Sequence, residues 1–458
     1  MVIVKAGHIF ILICVVFLFN GLAEAAGEYA FIARGAVTEV VSRGNVSDYK
    51  LKQANGETVL LKSPGLILEK GQDVAFFVRL GAKEGGLTTY LPINFPRDSR
   101  PYLFTDGLSY IKVASDNFMV FDKQGRSVGK LYESINPFSE GLASVYIKGA
   151  WGFIDTDGNL AIEPGFESFG DYYFKNGFAA VSTVKAQRGY IDKKGNMIVY
   201  PKEGEWMPLS PFSEGLALIK IISINQKHGD IHVIDENGVI QNQIPSVKDR
   251  NLFGPCMPFS NGLAPLRKND RWGFINRTGE FVIEPEYRKV SSFSEGLAAV
   301  ETLDYKCGYI DTNGNWVVNA SYDEAYPFSD GLAPVQSERN WGYVNKNGEL
   351  AIKMIYSKAG YFSGGVAPVA LYIKEINKEK WGIIDKKGNW VLEPKYDGAY
   401  GKKTGLHSSD IPEFSDDLLL VHEFIGGFIE GRNNSALRYA WIDRSGKEIQ
   451  ILIIPNRR

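Results

Sequence analysis

At 458 residues, 44% apolar and 23% charged, the chain has the balance of a folded protein and is longer than one ordinary domain. Its 51 basic and 53 acidic residues leave a formal charge of −2, which excludes a global field steering it towards nucleic acid or an anionic surface and leaves room only for local patches. With 49 glycines and 13% aromatics, it should contain many tight turns between aromatic-bearing strands, an all-β composition.

The first 26 residues read as a secretory signal peptide: Lys5 in a short basic leader, an apolar run from Ile9 to Phe19, and Ala23 and Ala25 as a small-x-small cleavage site. That run is short for a transmembrane span. Cys14 follows Ile13, where a lipid-anchor motif requires a small residue. No later stretch reaches the length of a membrane helix, so the expectation is an exported chain, periplasmic or extracellular and associated with the cell envelope.

Residues 29–95 alternate in short segments, Ala36–Val41, Tyr49–Lys52, Thr58–Leu61 and Val74–Arg79, with turns such as Asn55-Gly56 and Lys70-Gly71 between them. This spacing predicts a small β-barrel-like domain, similar to an OB-fold. Neither its charge nor its aromatic content points to nucleic acid. Pro92 to Pro101 reads as the linker.

From 104 to 450 the chain repeats itself. A turn phrase occurs at Phe138-Ser-Glu-Gly141, Phe212-Ser-Glu-Gly215, Phe259-Ser-Asn-Gly262, Phe293-Ser-Glu-Gly296, Phe328-Ser-Asp-Gly331 and Phe362-Ser-Gly-Gly365, with weaker copies from Phe104, Phe174 and Phe414. A second phrase follows in most copies, as in Trp151-Gly152-Phe-Ile-Asp155, Trp272-Gly273-Phe-Ile-Asn276, Trp341-Gly342-Tyr-Val-Asn345 and Trp381-Gly382-Ile-Ile-Asp385. In Gly189-Tyr-Ile-Asp192 and Gly308-Tyr-Ile-Asp311 the Trp is missing. A glycine then closes each turn, and a third phrase, Ile162-Glu-Pro164, Ile283-Glu-Pro285 or Leu392-Glu-Pro394, precedes an aromatic. These phrases resemble the WG-repeat, or KWG-repeat, family over about nine units. That resemblance implies a β-rich module without a known catalytic centre.

The residues themselves describe three short strands per unit. Leu142 to Ile147 suits a strand with one buried face, Trp151 to Ile154 a second, and Leu160 to Glu163 the returning third. Asp155 caps the turn and Gly158 supplies a positive φ. Pro164 is expected to end the third strand, because it lacks a donor. Phe138 and its equivalents should plug the joint between units, and the glycine of Trp-Gly should admit the Trp ring. One unit has too little apolar surface to fold alone, so units must stack, either as an open solenoid-like array or as a closed propeller-like one.

The recurrent Trp151, Trp272, Trp341 and Trp381 read as core, the alternative being a stripe that stacks on sugar rings. Trp206, Trp316 and Trp390 fall where the repeat does not demand Trp, which makes them candidates for binding. His228 and His232 flank Asp230 in a polar trio that either a metal or plain solvent could satisfy, and no metal site is assigned. After removal of the leader only Cys256 and Cys307 remain; an exported compartment would let them pair, or they are two separate buried thiols. The acids of the turns, such as Asp155, Asp157 and Asp311, match hairpin turns better than calcium loops. Glu163, Glu284 and Glu393 read as a solvated edge that discourages sheet pairing.

With no nucleophile elbow, phosphate loop or paired acids in a convincing context, neither an enzyme nor a cofactor is expected. The leading expectation is an exported, non-catalytic binding or scaffold protein facing a protein or envelope glycan, with insertions near 219–258 and 397–413 as the places for specificity. Two rivals stay open: a glycan-active envelope enzyme using carboxylates from repeat turns, and a purely structural envelope protein.

Overall fold

A computed structural model describes residues 31–43, 46–52, 58–63, 73–84, 87–92, 100–113, 117–123, 126–167, 173–185, 187–199, 205–222, 229–244, 256–403, 410–425, 428–429, 432–433 and 436–455. The expected signal peptide, His228 and much of the two insertions lie outside these residues.

Five strands come first: β1 (Phe31–Arg43), β2 (Val46–Lys52), β3 (Thr58–Ser63), β4 (Asp73–Glu84) and β5 (Leu87–Pro92). β1 pairs with both β2 and β4, β3 pairs with β5 in parallel, and β4 pairs with β5, so the ladder closes in the order β1-β2-β3-β5-β4.

After the linker come tandem antiparallel sheets, one to a repeat in most of the chain. In the Phe328 repeat the order is Glu324–Ala325, Leu332–Ser337, Asn340–Asn345, Leu350–Tyr356. The Phe293 and Phe362 repeats follow the same plan. The three-stranded meander of the sequence reading is therefore joined by a two-residue inner strand, too short to leave an alternating pattern. In the Phe138 and Phe174 repeats the two sheets merge into one of seven strands, through Phe166 opposite Thr183 and Glu167 opposite Ser182.

Two expectations are corrected by the outer strand of each unit. Pro164 does not end its strand, which runs Leu160–Glu167; Trp151 pairs with Phe166 and Phe153 with Ile162, so the residues around Pro164 form a bulge. The proline's missing donor falls where the ladder is already broken. The glycine of Trp-Gly, in turn, makes room for this bulge and not for its neighbouring Trp ring. A Cβ on Gly152 would stand 2.7 Å from the Ile162 carbonyl oxygen and 2.9 Å from the Pro164 nitrogen. Gly273, Gly342 and Gly382 meet the backbone of their own outer strands in the same way.

Repeats are joined by four recurrent contacts. The turn-phrase Phe is buried against the aromatic that follows Trp-Gly in the preceding repeat: Phe174 on Phe153, Phe212 on Tyr190, Phe293 on Phe274, Phe328 on Tyr309 and Phe362 on Tyr343, with ring centroids 4.7–5.1 Å apart. Burial of each such ring is worth about 1.5–3 kcal/mol. Tyr190, Tyr309 and Tyr343 also donate their hydroxyls to the carbonyls of Ser210, Tyr326 and Gly360. The turn-phrase serines reach forward, Ser139, Ser260, Ser294 and Ser329 each donating at 2.6–2.7 Å to the carbonyl of the next Phe. Finally, turn glycines sit on the buried aliphatic residue of the outer strand before them, Gly348 on Val318 and Gly388 on Ile352.

The described residues form two compact units. One holds the residues up to Glu133, Leu420–Asp443 and those from Lys447 on; the other holds Ser134–Leu419 with Arg444–Gly446. Within the first, β4 lies against the final strand Glu448–Pro455. Here too Trp441 of the Phe414 repeat packs edge-on against Phe104 and Phe121 of the first repeat, centroids 5.3 and 5.7 Å away. This is the aromatic contact that elsewhere links a repeat to its successor.

Candidate functional site

Within the Ser134–Leu419 unit the inter-repeat bonds bring successive turn phrases together. The array consequently offers three surfaces: a face of turns, the opposite ends of the hairpins, and the outer strands.

The face of turns is held by a charge ladder. The residue before the turn glycine is left-handed without being glycine, with φ of 55° at Glu140 and 53° at Glu295, a conformation that costs a non-glycine residue about 1 kcal/mol. Its side chain reaches the next repeat. Glu140 accepts from the backbone N–H of Asn176 and Gly177, Glu214 from Gly262, Glu295 from Gly331 and Asp330 from Gly365. A cation from that next repeat completes each step: Lys193 with Glu140 at 3.1 Å, Arg277 with Glu214 at 3.3 Å, Lys346 with Glu295 at 2.9 Å and Lys386 with Asp330 at 2.7 Å. At Gly364 the acid is absent, and Arg444 binds the Ser363 carbonyl and hydroxyl while pairing with Asp417. The sequence reading missed this ladder, because the pairing is only partly visible in the residues: Asn261 and Thr312 are both neutral, but Asp106 is matched by a neutral Thr156 and Gly364 by Arg444.

Desolvation raises the Glu140 and Glu295 carboxyls, yet the bonds from Gly177 and Gly331 and from Lys193 and Lys346 outweigh it and hold both below the ordinary value of 4.5. A depressed folded-state pKa stabilises in full above the unfolded value, and the contribution is lost as pH falls through the depressed one. Stability against urea should therefore fall as the pH drops below about 4.5, and Glu295→Gln should flatten that fall. Equal pH dependence in the variant would remove the ladder as its cause.

The acids of the hairpin turns are also engaged. One oxygen of Asp155, Asp192, Asp235, Asp311 and Asp385 accepts from the backbone N–H two and four residues on. Among the described residues no group of three or more His, Cys, Asp and Glu could hold a metal ion.

The predicted residues do not converge on one place. Trp341 and Trp381 are buried, and Trp151 and Trp272 half-buried. Trp341 stacks on Tyr326 at 4.8 Å with the rings nearly parallel. Trp316 is 40% exposed and Trp390 half-buried; each leans edge-on against a tyrosine of the preceding outer strand, Tyr287 and Tyr356. Trp206 lies on Glu205–Pro208, its backbone opposite Ile221, and its side chain is outside the described residues. His232 is half-buried, its Nδ1 is without a partner, and burial lowers its pKa against the pull of Asp230.

Cys256 and Cys307 do not pair. Both are free and buried, Cys256 among Leu209, Leu218 and Phe259 and Cys307 among Tyr309, Val318 and Phe328. Neighbouring repeats each have their own core, and that separation keeps the thiols apart. Burial pushes both thiols up to about 12, helped at Cys307 by Glu301 and Glu324. Neither should react with a thiol reagent at pH 8 until the chain unfolds, and the intact mass should be the same before and after reduction.

On the outer strands one position, five residues after the turn acid or its Asn counterpart, is apolar in seven successive repeats: Leu160, Met197, Ile240, Phe281, Trp316, Leu350 and Trp390. All are exposed or half-buried, Leu350 at 50%. These strands are the last in their sheets in the Phe212, Phe259, Phe293, Phe328 and Phe362 repeats.

A family model described as "WG containing repeat" matches residues 118–149, 151–183, 189–221, 256–272, 272–307, 308–340, 341–371 and 381–401. No curated protein matches the chain. Among solved structures it is similar to BamB from Moraxella catarrhalis, at 10% identity and a TM-score of 0.33, over 68% of this chain and 95% of that one. The WD40 beta propeller domain of Doa1 gives 12% and 0.29, over 54% and 92%. The WD40 domain of SCAP from fission yeast gives 10% and 0.28, over 80% and 88%.

Proposed function

Because the chain belongs to the family defined by the WG containing repeat, we propose that it is an exported, non-catalytic binding or scaffold protein whose outer strands hold a protein partner. One observation carries the reading: the same outer-strand position holds an apolar side chain through seven repeats, from Leu160 to Trp390, and at Leu160, Ile240, Trp316 and Leu350 that side chain is exposed. Water-facing apolar groups in such a row cost solubility unless something covers them. Aliphatic residues outnumber aromatic ones in the row, which suits a protein better than a glycan, because sugar rings call for flat aromatic platforms. The open edges add unpaired backbone groups able to meet an extended segment.

A non-catalytic role is supported by the state of the carboxylates. Those that recur in the turns already accept bonds from their own backbone or from the next repeat, so an acid pair would have to be freed before it could act on a glycan. Export rests on the leader, Lys5 through Ala25.

Affinity capture from the source cell tests the reading, with the intact chain set beside a Trp316→Asp, Leu350→Asp double variant. The variant is expected to lose a partner that the intact chain retains, with its thermal unfolding unchanged. An identical set of captured proteins would dispose of the outer strands as the binding surface.

A further inference from the structure

The ends of the hairpins differ in kind from the face of turns. On the turns, Lys193, Arg277, Lys346 and Lys386 are all neutralised by the ladder. At the opposite ends, Lys148, Lys185, Arg339, Lys374 and Lys378 are exposed and have no ion pair among the described residues. The acids there are mostly engaged: Asp270 pairs with Arg267 at 2.6 Å, and Asp304 accepts from the Thr302 hydroxyl. Glu338 and Glu375 are left, and Asp304 keeps its charge because its partner is a neutral hydroxyl, so three acids stand against five cations.

Exposed apolar side chains stand on three hairpin ends, beside Lys185 in one, beside Lys374 and Lys378 in another, and beside Lys306, paired with Asp323, in the third. Val184 is 56% exposed, Leu303 52%, Tyr305 63%, and Tyr372 and Ile376 50% each. They occupy the hairpin ends of the Phe174, Phe293 and Phe362 repeats. Between the last two lies the Phe328 repeat, whose turn is Glu338-Arg339. In the Phe362 repeat the hairpin is lengthened by pairs as far as Ile373 opposite Lys378, and it carries Lys374 and Ile376 in a short 3-10 turn.

We infer that this end of the Ser134–Leu419 unit docks on an anionic lipid bilayer, Leu303, Tyr305, Tyr372 and Ile376 entering the headgroup region while the lysines meet lipid phosphates. The apolar groups here are single side chains at the tips of separate hairpins, interspersed with cations. A fluid, flat surface can accept each hairpin end independently. Tyrosine prefers that interface, and lysine reaches outward from it with its apolar stem covered. Each lysine near an anionic surface contributes about 1 kcal/mol, so several weak contacts add to a useful affinity. The bilayer surface is distinct from the outer strands, so the two could be occupied together.

Co-sedimentation of the full chain with vesicles is the test, using either phosphatidylcholine alone or equal parts of phosphatidylcholine and phosphatidylglycerol. Binding is expected to the anionic vesicles only, and to weaken as salt rises. A Leu303→Asp, Ile376→Asp variant should bind about tenfold more weakly, and a Lys374→Glu, Lys378→Glu variant should do likewise with a flatter salt dependence. Leu350→Asp, on an outer strand, should bind vesicles normally. All these positions are exposed, and unchanged thermal unfolding will show that the fold is intact. No sedimentation with anionic vesicles would overturn the inference, as would binding indifferent to both hairpin variants or capture of an acidic protein at these residues while vesicles are ignored.

Discussion

Gly273→Ala is expected to destabilise its repeat by about 3 kcal/mol, near the top of what a single added methyl group does. The residue has an ordinary backbone conformation, so the cost is one of space alone. A Cβ there would meet the Pro285 nitrogen at 2.8 Å and the Glu284 carbonyl carbon at 2.9 Å, and would come closer still to the Ile283 carbonyl oxygen. All three are backbone atoms and cannot rotate aside. Gly262→Ala gives the contrast. Its surroundings are open, but its φ is +78°, so alanine should cost only about 1 kcal/mol there. Denaturant unfolding of the two variants decides the matter: if Gly273→Ala is no worse than Gly262→Ala, the bulge does not press on the glycine as described.

Trp441→Ala is expected to cost about 3–5 kcal/mol. The indole is fully buried between Phe104 and Phe121, and its removal leaves a cavity shared by the first and last repeats. The damage should be local to the unit that contains them. Hydrogen exchange read by mass spectrometry should show Leu108–Val113 and Asn117–Asp122 losing protection, while strands such as Leu332–Ser337 keep theirs. Uniform loss across the chain, or none, would contradict this assignment of contacts. Trp441→Phe should recover much of the stability, because the indole nitrogen has no hydrogen-bond partner to forfeit.

Much of the fold was legible because its period is carried by large residues. Leu142 to Ile147 has the bounds the sequence predicts, and the turns after Asp155 and Asp385 are built as their Asp-x-x-Gly pattern requires. The outer strand was misread at Pro164, since a proline looks like a stop unless the facing strand is known to carry a glycine that accommodates a bulge. Two-residue strands such as Glu324–Ala325 have no period to detect. The family itself was recognisable from Trp-Gly and the turn phrase, both of which are spaced by the stacking they serve.

The candidate surfaces were less legible. Trp316 was singled out as a Trp that the repeat does not demand, but its meaning depends on Tyr287, 29 residues earlier in the chain and adjacent in space. Leu160 and Leu350 attract no notice one at a time; they matter as members of a row that emerges when repeats are superposed. The partnerless lysines at the hairpin ends and the paired ones on the turns are indistinguishable in sequence until their neighbours are known. Composition sets only the near-zero sum of charge, and that sum conceals an unequal division between two ends of the same sheets.

The meeting of Trp441 with Phe104 bears on how the polypeptide is made. During synthesis the first repeat emerges from the ribosome long before its aromatic lid exists, so it must wait, incompletely covered, for the last repeat to be translated. Maturation of that unit thus waits on translation as far as Trp441, and a ribosome that stops before it leaves Phe104 and Phe121 without their cover.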